Sequence, residues 1–509
     1  MNLIKSTSTF SFFTLISRIL GYLRDVLIAF HLGSGPIADA FFVAFRIPNT
    51  FRRLFSEGTF NAAFIPSYSS ELLKGKKSGQ KFANQIFNLL LVSLLAIVLI
   101  FEILMPGFIY ILAPGFKGNE EKIELTIYLT RLTFPFLIFV SLASFFSAIL
   151  NSHNKFAVAA GAPIILNILL ISVLIYGKYL NDDLAVYLSY AVSLSGLIQL
   201  IILIIFSRKH YKAVLNFDFK IPSSVKLFFK KLLPSVFSSG VTQINILIGT
   251  IIASFQASAV SYLYYGDRIY QINLAIAGIA IGTIILPNLS KNVQSQDKSK
   301  IKLIQNKALE LSLFLSLPAT MALMIAPTEI TSALFGYGEF DILSVNNSAK
   351  ALFYFAIGLP AFSIIKIFSS FLFARHNTRI AFYFSLISVI INIIISLYFF
   401  KDVGFIIIPI ATTISSWINC LLLFFYLKNN KYFSIELNLV KSLIKIFIST
   451  IITSILFYNL VSYFSDKLNF ESEYKLLVII LLVTITFVTY IIISILTKAF
   501  KISDIKLKY

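Results

Sequence analysis

The chain has 509 residues, 58% of them hydrophobic and only 13% charged, and a mean hydropathy of +0.86. That is more apolar surface than a soluble globule of this length can hide, which excludes a soluble protein and predicts an all-α polytopic membrane protein. A net charge of +20 would point to nucleic acid in a soluble chain, but basic loops on one face of a membrane protein account for it, so no nucleic-acid partner is expected.

A spanning helix needs about 20 mostly apolar residues. With that length, spans fall near 10–31, 37–65, 83–112, 125–150, 157–177, 184–206, 228–255, 258–289, 308–335, 349–373, 380–400, 404–427, 441–463 and 475–497. This makes about fourteen helices. Only Lys5 precedes the first apolar run and no small-residue cleavage site follows it, so the first span reads as retained rather than as a signal peptide. Loops on the side of the N-terminus, among them 74–81, 208–231, 291–302 and 375–379, hold with the termini about 28 Lys and Arg, against about 7 on the other side. Both termini are therefore expected in the cytoplasm. The single cysteine, Cys420, and the scattered histidines offer no disulfide framework and no metal-ligand spacing, so neither metal nor cofactor is expected.

The chain repeats itself at an offset of about 223 residues. Asn151-Ser-His-Asn154-Lys155 returns as Ala374-Arg-His-Asn377-Thr378, Pro135 as Pro360, Asn167 as Asn392, Ile65-Pro66 as Leu286-Pro287, and Arg46 as Arg268. Six spans separate the copies, an even number, so the halves share one orientation, the parallel-repeat plan of some secondary transporters with a substrate cavity between the lobes. The expected organisation is an N-lobe at 1–207, a cytoplasmic linker at 208–232, a C-lobe at 233–428, and two accessory helices with a cytoplasmic tail at 429–509.

Charges inside the spans concentrate in the first, second and eighth. A central Arg or Asp costs about 2.5–3.5 kcal/mol on insertion scales, so such residues are kept for a polar cavity or a ligand. The first span carries Arg18, Arg24 and Asp25 around Gly21. The second, PIADAFFVAFRIPNTFRRLFSEGTF, carries Asp39, Arg46, Arg52, Arg53 and Glu57, with Pro48 and Asn49 breaking its middle. Asp39, Arg46 and Arg53 lie seven apart and Glu57 follows Arg53 at i+4, giving a charged stripe with Arg52 to one side. The eighth contributes Asp267 and Arg268. Internal ion pairs fixing helix packing are one reading, sharpest for Arg53 with Glu57. Arginines outnumber carboxylates, however, and a guanidinium fork suits phosphate oxygens. The spacing thus points to a cationic cavity for a phosphate- or pyrophosphate-bearing substrate. No Gly-rich phosphate loop, metal cluster or nucleophile–base constellation supports an enzyme.

The segment DAFFVAFRIPNTFRRLFSEGTFNAAFIPSYS closely resembles the second-helix signature of the MurJ (MviN) family, lipid II flippases of the multidrug/oligosaccharidyl-lipid/polysaccharide exporter superfamily. SRILGYLRD at 17–25 is similar to the family's first helix and YYGDRIYQINLAIAGIAIGTIILPNLS at 264–290 to its eighth. The resemblance runs essentially end to end. It implies movement of lipid II, the undecaprenyl-pyrophosphate-linked peptidoglycan precursor, from the cytoplasmic to the periplasmic leaflet of the bacterial inner membrane. It also implies that Arg18, Arg24, Arg52 and Arg268 are needed for transport, with Asp25, Asp39 and Asn49 in the same cavity; the charged stripe and the repeat add Arg46, Arg53, Glu57 and Asn167 to the candidate binding set. The extra two helices would form a groove for the lipid tail. A monomer among membrane lipids is expected, with cell-wall synthesis machinery as a further partner. Alternatives are a flippase for another undecaprenyl-linked glycan, of O-antigen or capsule type, or a non-transporting membrane protein whose charges pair internally. Gln271 stands where relatives carry Glu, and no carboxylate lies in 240–254 or 380–400, where a sodium site of some relatives has its ligands.

Overall fold

A computed structural model describes residues 3–56, 59–179, 183–216 and 222–499. Among these the regular structure is helical, as the continuous apolar runs require of a chain whose backbone must satisfy itself in lipid. Ten helical runs are long and apolar enough to cross a membrane among the described residues. Two compact units divide the chain, Met1–Ser261 and Tyr262–Tyr509.

The first unit contains α1 (Leu3–Leu32), α2 (Pro36–Ser56), α3 (Thr59–Leu73), α4 (Lys76–Ile103), α5 (Met105–Leu112), α6 (Glu120–Thr133), α7 (Phe136–Ser152), α8 (Phe156–Ile175), α9 (Leu184–Ser207) and α10 (Ser223–Ala253). α1 packs along α8, α7 and α8 along α9, and α2 against α6 and α7. α10 lies on α3 and also meets α2, α4 and α5. Within the second predicted span the described residues are helical on both sides of 57–58, as α2 and α3. Pro48 does not end α2, which stays helical to Ser56. A proline removes one N–H from the ladder, and neighbouring helices supply the stability that keeps the turn helical. Glu57 and the tail at 501–508 lie outside the described residues.

The second unit holds most of α11 (Ala259–Leu274), then a π-helical turn at Ala275–Ala280, α12 (Ile281–Gln294), α13 (Lys298–Ile325), α14 (Pro327–Phe335), α15 (Ile342–Phe373), α16 (Thr378–Val403), α17 (Ile407–Asn429), α18 (Leu437–Tyr463), α19 (Ser465–Leu468) and α20 (Lys475–Leu496). α15 is central to it, packed by α13, α14 and α17. Gly266 on α11 belongs to this packing: a Cβ there would sit 3.1 Å from the Ser348 carbonyl and 3.2 Å from the Ala351 Cβ, so the glycine lets α11 lie against α15. Gly404, at φ 72°, ends α16 in a conformation that L side chains rarely adopt and turns the chain into α17. The late helices are tied in by polar pins. The Tyr490 hydroxyl donates to the Phe314 carbonyl at 2.9 Å, and buried Lys475 donates to the carbonyls of Gly336 and Phe470 at 2.6 and 2.5 Å.

Two loops that match in sequence close in the same way, but one residue out of the sequence register, which pairs His153 with His376 and Asn154 with Asn377. After α7, Asn154 takes a left-handed φ of 60° and the Lys155 amide returns to the Leu150 carbonyl at 2.9 Å. After α15, His376 takes φ 57° and the Asn377 amide returns to Leu372 at 3.0 Å. Both are the six-to-one closure of a helix C-terminus. The paired prolines differ locally: Pro135 stands at the break between α6 and α7, whereas Pro360 lies inside unbroken α15.

Candidate functional site

α1 runs unbroken through Gly21 and carries Arg24 and Asp25 into the first unit's interior, 6% and 3% exposed. The Asp25 Oδ1 accepts from both Nε and Nη2 of Arg24, at 3.0 and 2.6 Å. The Nη1 of Arg24 donates to the Asn167 Oδ1 on α8 at 3.0 Å, and the Asn167 amide in turn donates to the Ser17 carbonyl at 2.9 Å. Asn167 thus joins α1 to α8 twice, once through backbone and once through the guanidinium. The Phe45 ring of α2 lies 6.0 Å from the Arg24 guanidinium carbon. Of five guanidinium N–H groups, these bonds occupy three, so two have no protein partner among the described residues.

Asp39 is fully buried and occupied otherwise. Its Oδ2 accepts from Lys122 Nζ of α6 at 2.7 Å and from the Ser258 amide at 3.0 Å. Its Oδ1 accepts from the Ser261 amide and hydroxyl at 3.0 and 2.6 Å. The carboxylate therefore caps the N-terminus of α11 from another helix, satisfying amides that have no partner within α11. It also holds Ser258 at a left-handed φ of 59°. Lys122 lies over the Phe116 ring at 3.8 Å, and its helix is capped by the Asn119 side chain, which accepts from the Lys122 amide at 3.0 Å.

The remaining candidates fall on α1, α2 and α11. Arg18 is exposed on α1, while Arg46, Asn49, Arg52 and Arg53 are half-buried on α2. Arg52 Nε donates to the Asn49 Oδ1 at 3.1 Å, a one-turn pair that fixes the base of the guanidinium. Arg268 donates to the Tyr264 hydroxyl at 2.9 Å with its guanidinium carbon 4.7 Å from that ring. Gln271 donates to Asp267, so the position that lacks a carboxylate supplies Asp267 with a neutral partner. Charges at span ends pair within a helix, Lys307 with Glu310 at 2.9 Å, or between helices, Arg131 of α6 with Glu102 of α4 at 4.0 Å.

The structure thus brings Arg24, Asp25 and Asn167 together, and Asn49 with Arg52. It places Asp39 against a lysine rather than an arginine of its own stripe. Lys122, Ser258, Ser261 and Tyr264 were missed in the sequence. Lys122 reads there as a loop residue in GNEEK, and its partner lies 83 residues away. The one local signal was Tyr264, four residues before Arg268 and hence one turn below it.

Known proteins resemble the chain along most of its length. Residues 28–479 match the family described as "Lipid II flippase MurJ". A protein of Rickettsia prowazekii named "Probable lipid II flippase MurJ" is 36% identical over 481 residues, covering 94% of each chain. One of the same name from Rhizobium meliloti is 38% identical, covering 83% of this chain and 80% of its own. Among solved structures, "Lipid II flippase MurJ, inward closed conformation" superposes with a TM-score of 0.81 at 26% identity, over 96% of this chain and 98% of that one. A multidrug resistance MATE family transporter of the MOP superfamily shares the fold, with a TM-score of 0.69 at 15% identity over 81% of this chain and 94% of its own. With a family match over most of its length and relatives above 30% identity across nearly all of it, this multi-pass bacterial inner-membrane protein belongs to the MurJ family.

Proposed function

We propose that the chain is a lipid II flippase that moves undecaprenyl-pyrophosphate-linked peptidoglycan precursor from the cytoplasmic to the periplasmic leaflet, with both termini in the cytoplasm. The observation that carries this reading is Arg24, a buried cation in a membrane-spanning helix held by one carboxylate oxygen and a neutral amide. A guanidinium so placed keeps N–H groups for a phosphate oxygen. Arg52, oriented by Asn49, offers the same chemistry on α2, and Arg268, oriented by Tyr264, offers it on α11. Arg18, exposed on α1, meets the anion first. Asp25 competes for Arg24 once the ligand has left, which keeps the empty site neutral enough to persist in lipid. Transport proceeds by alternating access, with no covalent step, and the chain acts as a monomer.

Depletion of the protein in its bacterium tests the assignment. The expected result is lysis with accumulation of lipid II on the cytoplasmic leaflet. Normal growth with unchanged lipid II, or accumulation of a different undecaprenyl-linked glycan, would overturn it.

A further inference from the structure

Beyond the arginine site, the segment 208–216 leaving α9 is held on α4 by two asparagines. The Asn84 Oδ1 accepts from the Tyr211 hydroxyl at 2.6 Å and the Val214 amide at 3.3 Å. Asn88 donates to the Val214 carbonyl at 3.0 Å and accepts from the Asn216 amide at 3.4 Å, so one side chain acts as a strand partner for the strap. The second unit uses the same device after α17. There Asn306 donates to the Ser434 carbonyl and accepts from the Glu436 amide, both at 3.1 Å.

What fills the corner beside each strap differs. In the second unit Arg375 donates to the Phe371 and Tyr432 carbonyls at 2.8 and 2.9 Å, with its guanidinium carbon 4.8 Å from the Tyr432 ring. Arginine keeps its charge at every accessible pH. In the first unit His153, which ends α7, stacks on His210 of the strap, with ring centroids 4.3 Å apart and planes at 17°. The His153 Nε2 lies 3.4 Å from the hydroxyl of buried Tyr68 on α3. The other charges around the pair are positive: Lys76 at the start of α4, Lys155 in the same loop, and Arg208, Lys209 and Lys212 along the strap. The carboxylate one turn beyond Tyr68 on α3, Glu71, is taken up by Lys74 and Ser78, each at 2.7 Å.

We propose that the His153–His210 stack is a pH-sensitive latch, closed while the rings are neutral, that holds the segment 208–216 on α4 and releases it when that face is acidified. Stacked imidazoles tolerate one charge, but two charges at this separation repel, and the surrounding lysines and arginine add to the cost. Burial, then His210, then Lys76 hold His153 below the ordinary histidine value of 6.5. A group depressed in the docked state favours docking fully above its ordinary value. That contribution is lost as pH falls through it, so release sets in below 6.5. The strap begins the connection to α10, which lies on α2 and α3, so its release slackens the tether of that helix.

Hydrogen exchange of the full chain, corrected for the intrinsic pH dependence of exchange, tests this between about pH 8 and about pH 5. Protection of the Val214 and Asn216 amides should stay level in the upper part of the range. Below it, protection should fall by up to about tenfold per pH unit for each proton taken up. His153→Phe keeps a ring in the stack without the proton and should flatten the profile, whereas His210→Phe leaves His153 buried and should only make the acid loss shallower. His376→Phe, on the corresponding loop of the other unit, should leave it unchanged, and Asn88→Ala should lower protection at every pH. A level wild-type profile, an undiminished acid loss in His153→Phe, or unaltered protection in Asn88→Ala would each overturn the latch.

Discussion

Arg24 and Asp39 are buried charges on consecutive helices of one unit, yet their surroundings treat them in opposite ways. Asp39 accepts from an ammonium, two amides and a hydroxyl, and its cation lies over an aromatic ring. Those four hydrogen bonds fill the acceptor sites of the carboxylate. Arg24 is given one carboxylate oxygen and the oxygen of a neutral amide, and keeps N–H groups to offer. The difference teaches that insertion cost alone does not mark a transport site. Both charges cost alike to bury, but only the one whose hydrogen bonds are incomplete can exchange protein for substrate without breaking the fold.

The comparison is open to attack from either side. The largest expected effect is at the closed cluster. Lys122→Ala leaves the Asp39 carboxylate buried without its cation and should cost about 3–5 kcal/mol of stability. Thermal unfolding and membrane yield read this, and a melting temperature equal to wild type would remove the distinction drawn here.

Asn167 comes next. Asn167→Ala removes a bond to a charged group and should cost about 1.5–3 kcal/mol. Asn167→Asp pairs Arg24 a second time but loses the donor to the Ser17 carbonyl, so it should fold less stably than wild type, and it should lose flipping because the guanidinium is then neutralised. Full flipping by Asn167→Asp would show that Arg24 does not meet the anion.

The smallest change expected is Asn119→Ala, which removes the cap of the helix carrying Lys122 and should cost about 1 kcal/mol. Its melting temperature should drop slightly and its transport should not change, since Lys122 keeps Asp39.

The helical class was plain from composition, because apolar runs of span length leave the backbone no other way to satisfy itself. The Arg24–Asp25–Asn167 group was legible in part: helical spacing put the charges in α1, and the repeat offset singled out Asn167 before any contact with Arg24 could be known. Asp39 was read as a member of a stripe along its own helix because spacing reveals neighbours within a helix but not across helices. Its lysine sits in an acidic stretch that reads as solvated, and only the packing of α6 against α2 carries that lysine inward. Pro48, the obvious breaker in the second span, does not break α2, which stays helical to Ser56.

The central claim is that Arg24, Arg52 and Arg268 meet the pyrophosphate. It is tested most directly by measuring lipid II flipping with Arg24→Ala, Arg52→Ala and Arg268→Ala, each checked for membrane insertion and melting temperature. The account predicts that each variant inserts normally and fails to flip. Retained flipping in all three would contradict it.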